Sequence, residues 1–235
     1  MRITYIGHSG FAAEWEDIVC LFDFAEGEPP RIDPDRRLFV FVSHAHSDHF
    51  SPEIFLNFDD VPRRTFLLSD DIPADKECEK GLTVLRMGPG RRRVLSGGAA
   101  GAVSVSTLGS TDCGVAWVVS YAGKTIYHAG DLHWWAWPDD TPAEEREMKN
   151  AFFAQIAKLK GLELDAAFLP LDPRLEGNFW MGFDALMRTA HITRAFPMHM
   201  WGKYETADRL IGLSVSEPYR ERIVKIEAPG QVFEI

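Results

Sequence analysis

The chain has 235 residues, of which 46% are hydrophobic, 26% charged and 12% aromatic; this excludes a disordered tail, a fibre or a disulfide miniprotein and leaves ample length for a core. Its 25 Lys and Arg against 35 Asp and Glu give a formal charge of −10, which argues against a nucleic-acid backbone or an anionic membrane as main partner. Cys20, Cys78 and Cys113 lack paired spacing, and no apolar stretch reaches the length of a membrane span or resembles a signal peptide, so a cytoplasmic protein is expected.

The first quarter reads as strands. Ile3–Ile6, Phe11–Glu16 and Ile18–Phe22 are short β-branched or aromatic runs separated by turn residues. A connection over 25–37 with three prolines follows. Leu38–Val42 is a continuous apolar run, the pattern of a strand buried on both faces. Further strands are predicted at Arg63–Leu68, Leu82–Arg86, Val103–Leu108, Val115–Tyr121 and Lys124–His128. The single basic run, Arg91-Arg92-Arg93, is read as a solvated strand edge.

The second half alternates differently. Pro142–Lys160 has helical spacing, with an acidic opening and a basic end that suit the helix dipole. Leu164–Leu169 is a buried strand, Phe183–Thr193 and Thr206–Leu213 are predicted helices, and Ile223–Ile226 and Val232–Ile235 are closing strands. His191 falls on a predicted helix and is read as structural. Without repeats or a clear linker, one α/β domain over 1–235 is the simplest account, with two packed sheets and outer helices.

Chemistry concentrates directly after Leu38–Val42. Ser43-His44-Ala45-His46-Ser47-Asp48-His49 holds three histidines and an aspartate within six residues, and imidazole nitrogen with carboxylate oxygen is a preferred donor set of Zn²⁺ and similar ions. An aspartate after an apolar strand and a glycine, Asp131 in Tyr127-His128-Ala129-Gly130-Asp131, is either an accessible metal-facing carboxylate or an ordinary turn residue. His199 alone would read as a core histidine.

His44-Ala45-His46-Ser47-Asp48-His49 resembles the His-x-His-x-Asp-His signature of metallo-β-lactamase-fold metal-dependent hydrolases. Asp23, Asp131 and His199 fall in that family's order, and Gly7-His8-Ser9-Gly10-Phe11 is similar to the start of its small-substrate branch. The resemblance implies a four-layer αββα sandwich, α/β in the broad sense, with a dinuclear site. It implies His44 and His46 at one ion, Asp48, His49 and His199 at the other, and Asp131 between them. It further implies Asp23 as an early supporting aspartate and Asp48 as the residue that orients the nucleophile and carries a proton. His8 and His128 are either orienting partners behind the ligands or ordinary strand-end histidines.

The family also offers a further histidine between His49 and the bridging aspartate, and this chain has none between His49 and His128. Asp112, in Gly109-Ser110-Thr111-Asp112-Cys113-Gly114, is a candidate oxygen ligand in its place, with Cys113 a poorer thiolate choice; a plain turn is the alternative. Zinc is expected first, and a carboxylate there would harden the site and make manganese or iron alternatives.

His133, Trp134, Trp135 and Trp137 would either wall an apolar substrate pocket or cap the core. Arg174 would either hold an anionic substrate group or pair with Asp172 or Glu176. The expected function is hydrolysis of a small-molecule ester, amide, lactone or phosphoester. The alternatives are a nuclease of the same fold, which the charge disfavours, and a non-catalytic metal-binding protein. Nothing in the sequence indicates an oligomeric state.

Overall fold

The computed structural model describes residues 1–235. Strands β1 (Arg2–Gly7), β2 (Gly10–Glu14), β3 (Ile18–Phe22), β4 (Arg37–Val42), β5 (Arg64–Ser69) and β6 (Thr83–Met87) form one sheet, joined at its edge by β13 (Val232–Glu234). Its order is β13-β1-β2-β3-β4-β5-β6, and β3 to β6 run parallel. The second sheet contains β7 (Arg92–Ser96), β8 (Ala102–Gly109), β9 (Val115–Tyr121), β10 (Lys124–His128), β11 (Glu163–Pro170) and β12 (His191–Met198), with β10, β11 and β12 parallel at one side.

The sheets pack face to face. Phe11 stacks on Phe168 at 4.2 Å between ring centroids, and Phe41 meets Trp117 edge-on at 5.4 Å. Strand alternation then sorts the rest of β4. Phe39 and Phe41 enter the core between the sheets, while Leu38, Val40 and Val42 enter a second cluster on the outer face, as a doubly buried strand requires. That outer face is covered by Phe24, Ile32, Ile54, Phe55, Phe58 and Val61. The covering layer is irregular apart from one 3₁₀ turn at Pro52–Phe55, so the first sheet's outer layer is thinner than a four-layer sandwich suggests.

Helices cover the second sheet. The connections β10–β11 and β11–β12 carry α1 (Pro142–Ile156) and α2 (Met181–Thr189), and α3 (Glu205–Gly212) follows β12. Because β10, β11 and β12 step in one direction, right-handed crossovers put α1 and α2 on the same face. α1 opens with a capping box between Thr141 and Glu144 and with Pro142 in its first turn; its predicted last turn is 3₁₀, Ala157–Leu159.

Three sequence expectations change. Helix α2 ends at Thr189, and residues 191–193 open β12, where the β-branched Ile192 and Thr193 fit a strand and Ile192 pairs with Leu164. His191 therefore begins a strand and lies exposed beside Glu163 rather than on a helix. Ile223–Ile226 makes only an isolated bridge between Ile223 and Ala195, so it is not a strand. The arginine run does sit on a sheet edge, at β7.

Candidate metal centre

Parallel strands bring the chemistry to one rim. Asp23 follows β3, the segment from His44 to His49 follows β4, Asp131 follows β10, Asp172 follows β11 and His199 follows β12. All leave the C-terminal ends of parallel strands, where open α/β sheets hold ligands. The two sheets are fastened there by the Val115 N–H, which donates to the Ser43 carbonyl at 2.9 Å. Gly114 permits this approach: its φ is +68°, and a Cβ would lie 2.0 Å from the Ser43 carbonyl oxygen and 2.7 Å from the His44 Cβ. Of the six non-glycine residues with positive φ, four belong to this rim: His8, Asp23, His199 and Trp201. Such conformations are held at about 1–3 kcal/mol each by the surrounding structure.

Two donor groups result, His44, His46, Asp112 and Asp131, and His8, Asp48, His49 and His199, each with its donor atoms within 4.8 Å of one another. Asp131 faces both: its Oδ1 lies 3.3 Å from His49 Nε2 and 3.6 Å from His199 Nε2, and its Oδ2 lies 3.7 Å from His44 Nε2. His46 Nδ1 stands 3.1 Å from His44 Nε2 and 3.4 Å from Asp112 Oδ2, so Asp112 reaches the first group. Cys113 is not part of either group. In the second group His8 lies beside Asp48, with Nε2 3.2 Å from Oδ2, close enough to orient that carboxylate.

The fit to divalent ions can be read from unpaired atoms. His49 Nε2, His199 Nε2 and Asp131 Oδ1 are buried without a hydrogen-bond partner and meet in this cluster. Leaving buried polar atoms unpaired is costly, whereas nitrogen and carboxylate donors at this spacing suit an ion about 2.0–2.2 Å from each. The donor set fits zinc, manganese or iron.

Supporting groups orient the rings. Asp23, fully buried, accepts from the Ser43 amide at 2.7 Å, the Ser43 hydroxyl at 2.6 Å and His49 Nδ1 at 2.7 Å, which leaves His49 Nε2 to face the cluster. His128 Nε2 donates to the Ser9 carbonyl at 2.9 Å, and its Nδ1 accepts from the Gly130 amide at 3.1 Å, shaping the turn before Asp131. Asp172, singled out in the sequence only as a partner for Arg174, accepts from His199 Nδ1 at 2.9 Å. It repeats the pattern of Asp23, an aspartate at the end of an apolar strand, which was the available signal.

Charges within the metal-free cluster are strongly coupled. His199 and His8 beside Asp48 hold its carboxyl well below the usual range. Burial alone would depress the His49 and His199 imidazoliums, but neighbouring carboxylates outweigh it. Asp131 and Asp23 raise His49, and Asp172 and Asp48 raise His199 to about 9. A histidine raised from an unfolded value of about 6.5 stabilises the fold fully below that pH and ceases to do so as pH rises through its folded value. The chelated protein is therefore expected to lose melting temperature between about pH 6.5 and 9, whereas a metal-loaded sample, its imidazoles no longer titrating, should keep a flatter profile. Parallel melting curves with and without chelator check this, and equal slopes would refute it.

A cavity of about 330 Å³ opens on the cluster, lined by His46, Asp48, Asp112, Asp131 and His199 and walled by Trp135, Trp137, Met148, Arg174 and Trp201. Two sequence candidates are absent from this wall. His133 is fully buried behind it, its proton affinity lowered by burial to about 4, and Trp134 packs on Phe152 and Phe153. The tryptophan segment thus divides: Trp135 and Trp137, stacked at 5.9 Å, face the cavity, while Trp134 caps the core. Arg174 makes the expected pair with Asp172 and also lines the cavity. Trp201 and Met148 were missed, since neither carries a motif.

Two facing sheets with histidine–carboxylate clusters at their parallel rim define a metallo-β-lactamase-like fold. The chain belongs to the beta-lactamase superfamily domain family, whose model matches residues 2–140. It is 24% identical to a UPF0173 metal-dependent hydrolase of Carboxydothermus hydrogenoformans, over 92% of this chain and 95% of the relative. Its fold matches Igni18, a metallo hydrolase from Ignicoccus hospitalis, with a TM-score of 0.66 at 18% identity over 100% of this chain and 98% of that one. It also matches CmlA, a diiron β-hydroxylase from Streptomyces venezuelae, with a TM-score of 0.66 at 13% identity over 100% of this chain and 54% of that one. No helix is long and apolar enough to cross a membrane.

Proposed function

We propose that the protein is a metal-dependent hydrolase of small molecules with a dinuclear centre. His44, His46 and Asp112 would hold one ion, Asp48, His49 and His199 the other, and Asp131 would bridge them. The observation that carries this reading is the division of Asp131, one oxygen toward His49 and His199 and the other toward His44. Bound there, divalent ions would supply a water acidified toward neutrality and polarise the substrate's electrophilic group.

The chain's own residues do the rest. Asp48, partly open to the cavity, would orient the attacking water and carry its proton to the leaving group. His8 holds the Asp48 carboxylate in place at 3.2 Å. Trp135 is anchored by its indole N–H on the Asp131 carbonyl at 3.0 Å and shields one side of the site from bulk water. A cavity of about 330 Å³ suits a small molecule, lying at the low end of common ligand pockets. Zinc is the first choice of ion, and manganese or iron remain alternatives because a carboxylate stands in the first group.

Protein purified without chelator is expected to carry about two divalent ions per chain and to hydrolyse simple aryl esters or lactones. Chelation should remove activity, and added zinc or manganese should restore it. Absence of bound metal, together with no response of melting temperature or activity to either ion, would overturn the proposal.

A further inference from the structure

Arg174 is arranged to do more than neutralise Asp172. The guanidinium has five N–H donors in a fixed fork. Its Nε lies 3.0 and 2.9 Å from the two Asp172 oxygens and its Nη2 lies 2.6 Å from Oδ2. Asp172 is fully buried and also serves His199 Nδ1 and the Trp201 indole N–H, so its acceptor capacity is taken up. Arg174 Nη1 makes no protein hydrogen bond, and the side chain is 45% exposed on the cavity. The edge formed by Nη1 and the second hydrogen of Nη2 therefore remains open, and such an edge can take a carboxylate with two parallel hydrogen bonds.

Aromatic rings surround that edge. The guanidinium carbon lies 4.5 Å from the centroid of Trp201 and 5.5 Å from that of Trp137. Contact with indoles keeps weakly hydrated charge at a partly apolar surface. Trp137 is in turn parallel to Trp135, 9° between planes. The wall thus presents flat apolar surface beside one open cationic edge.

We propose that the substrate bears a free carboxylate beside a flat apolar body, with the carboxylate on the open edge of Arg174 and the body against Trp135, Trp137 and Trp201. This assignment rests on the hydrolytic reading for what becomes of the bound molecule, but the binding itself does not depend on turnover. It makes Arg174 a specificity-determining residue, in contact with substrate and outside the metal cluster.

The test uses 2-naphthoate and its neutral isostere 2-naphthamide, titrated into the full-length protein with tryptophan fluorescence as readout, in chelated and zinc-loaded samples. Wild type should bind naphthoate at least about tenfold more tightly than naphthamide, the scale of one charge-assisted pair. Arg174→Met should remove that preference while leaving naphthamide affinity within about twofold, which reports an intact aromatic wall. Arg174→Gln, which retains a donor for Asp172, gives the same reading if the methionine variant does not fold. Equal binding of the two probes by wild type, or a preference that survives in both variants, would overturn the inference. Failure of the loaded protein to hydrolyse any ester, amide, lactone or phosphoester, with the Arg174-dependent preference intact, would instead overturn the hydrolytic reading alone.

Discussion

Asp131→Ala is expected to strip the protein of most bound metal and to lower ester turnover by at least about 10²-fold, the scale of losing a principal electrostatic element of an active site. The reason is geometric. Asp131 is the one carboxylate whose two oxygens face different histidines, Oδ1 toward His49 and His199 and Oδ2 toward His44. Removing it takes a donor from both positions and leaves buried His49 with Asp23 at 2.7 Å and Asp48 at 3.8 Å as its carboxylate neighbours. Stability should report the same loss. A ligand present at about 1,000 times its Kd adds about 4 kcal/mol to a folded protein, so wild type should melt higher with zinc than with chelator, and the variant should show little difference. Metal analysis, melting curves and turnover measured together check this, and a variant that keeps two ions and wild-type activity would sink the bridging role.

Asp112→Ala should lower the metal content from two ions to one and weaken the lost position more than about 100-fold, beyond what removing an orienting partner costs. Asp112 lies 3.4 Å from His46 Nδ1, the position from which it would complete the first donor group in place of an imidazole. His46 and Asp112 are also the open side of the cluster, 51% and 40% exposed, whereas His44 and His49 are fully buried. The ion held there is thus the one expected to exchange first. Asp112→His should tighten zinc at that position and reduce any response to manganese, because imidazole favours zinc and carboxylate favours manganese. Metal titrations of both variants by calorimetry decide it; unchanged stoichiometry in the alanine variant would reduce Asp112 to a turn residue.

Much of this rim was legible in the sequence because its donors are dense there. His44, His46, Asp48 and His49 lie in one short run after an unmistakably apolar strand, and strand ends are natural places for exposed polar groups. The donors that were misplaced or missed are those defined by three-dimensional closure. For His8 the sequence left open an orienting partner or a plain strand-end histidine, because nothing in its own hairpin shows that the turn leans onto Asp48. Trp201 enters the wall because the chain turns back after His199 through positive φ at both residues, which residue type alone does not announce. His133 and Trp134 failed as wall residues for the opposite reason: in a run of large rings, only packing decides which faces the cavity. Helix periodicity carried α2 too far for a similar cause, since Ala190 and Ile192 continue an apolar spacing that the pairing of β12 with β11 overrides.

The Asp172 carboxylate is shared between His199 at the centre and Arg174 and Trp201 at the mouth. Such sharing binds the evolutionary fate of recognition to that of chemistry. Where wall and cage are carried by separate groups, drift can rewrite one while the other stands still; here a change at Arg174 also disturbs the acceptor that orients His199. Substitutions at 172, 174, 199 and 201 should therefore be strongly epistatic, with double variants departing from the sum of the singles. A lineage that acquires a new substrate through this wall would have to move these positions together.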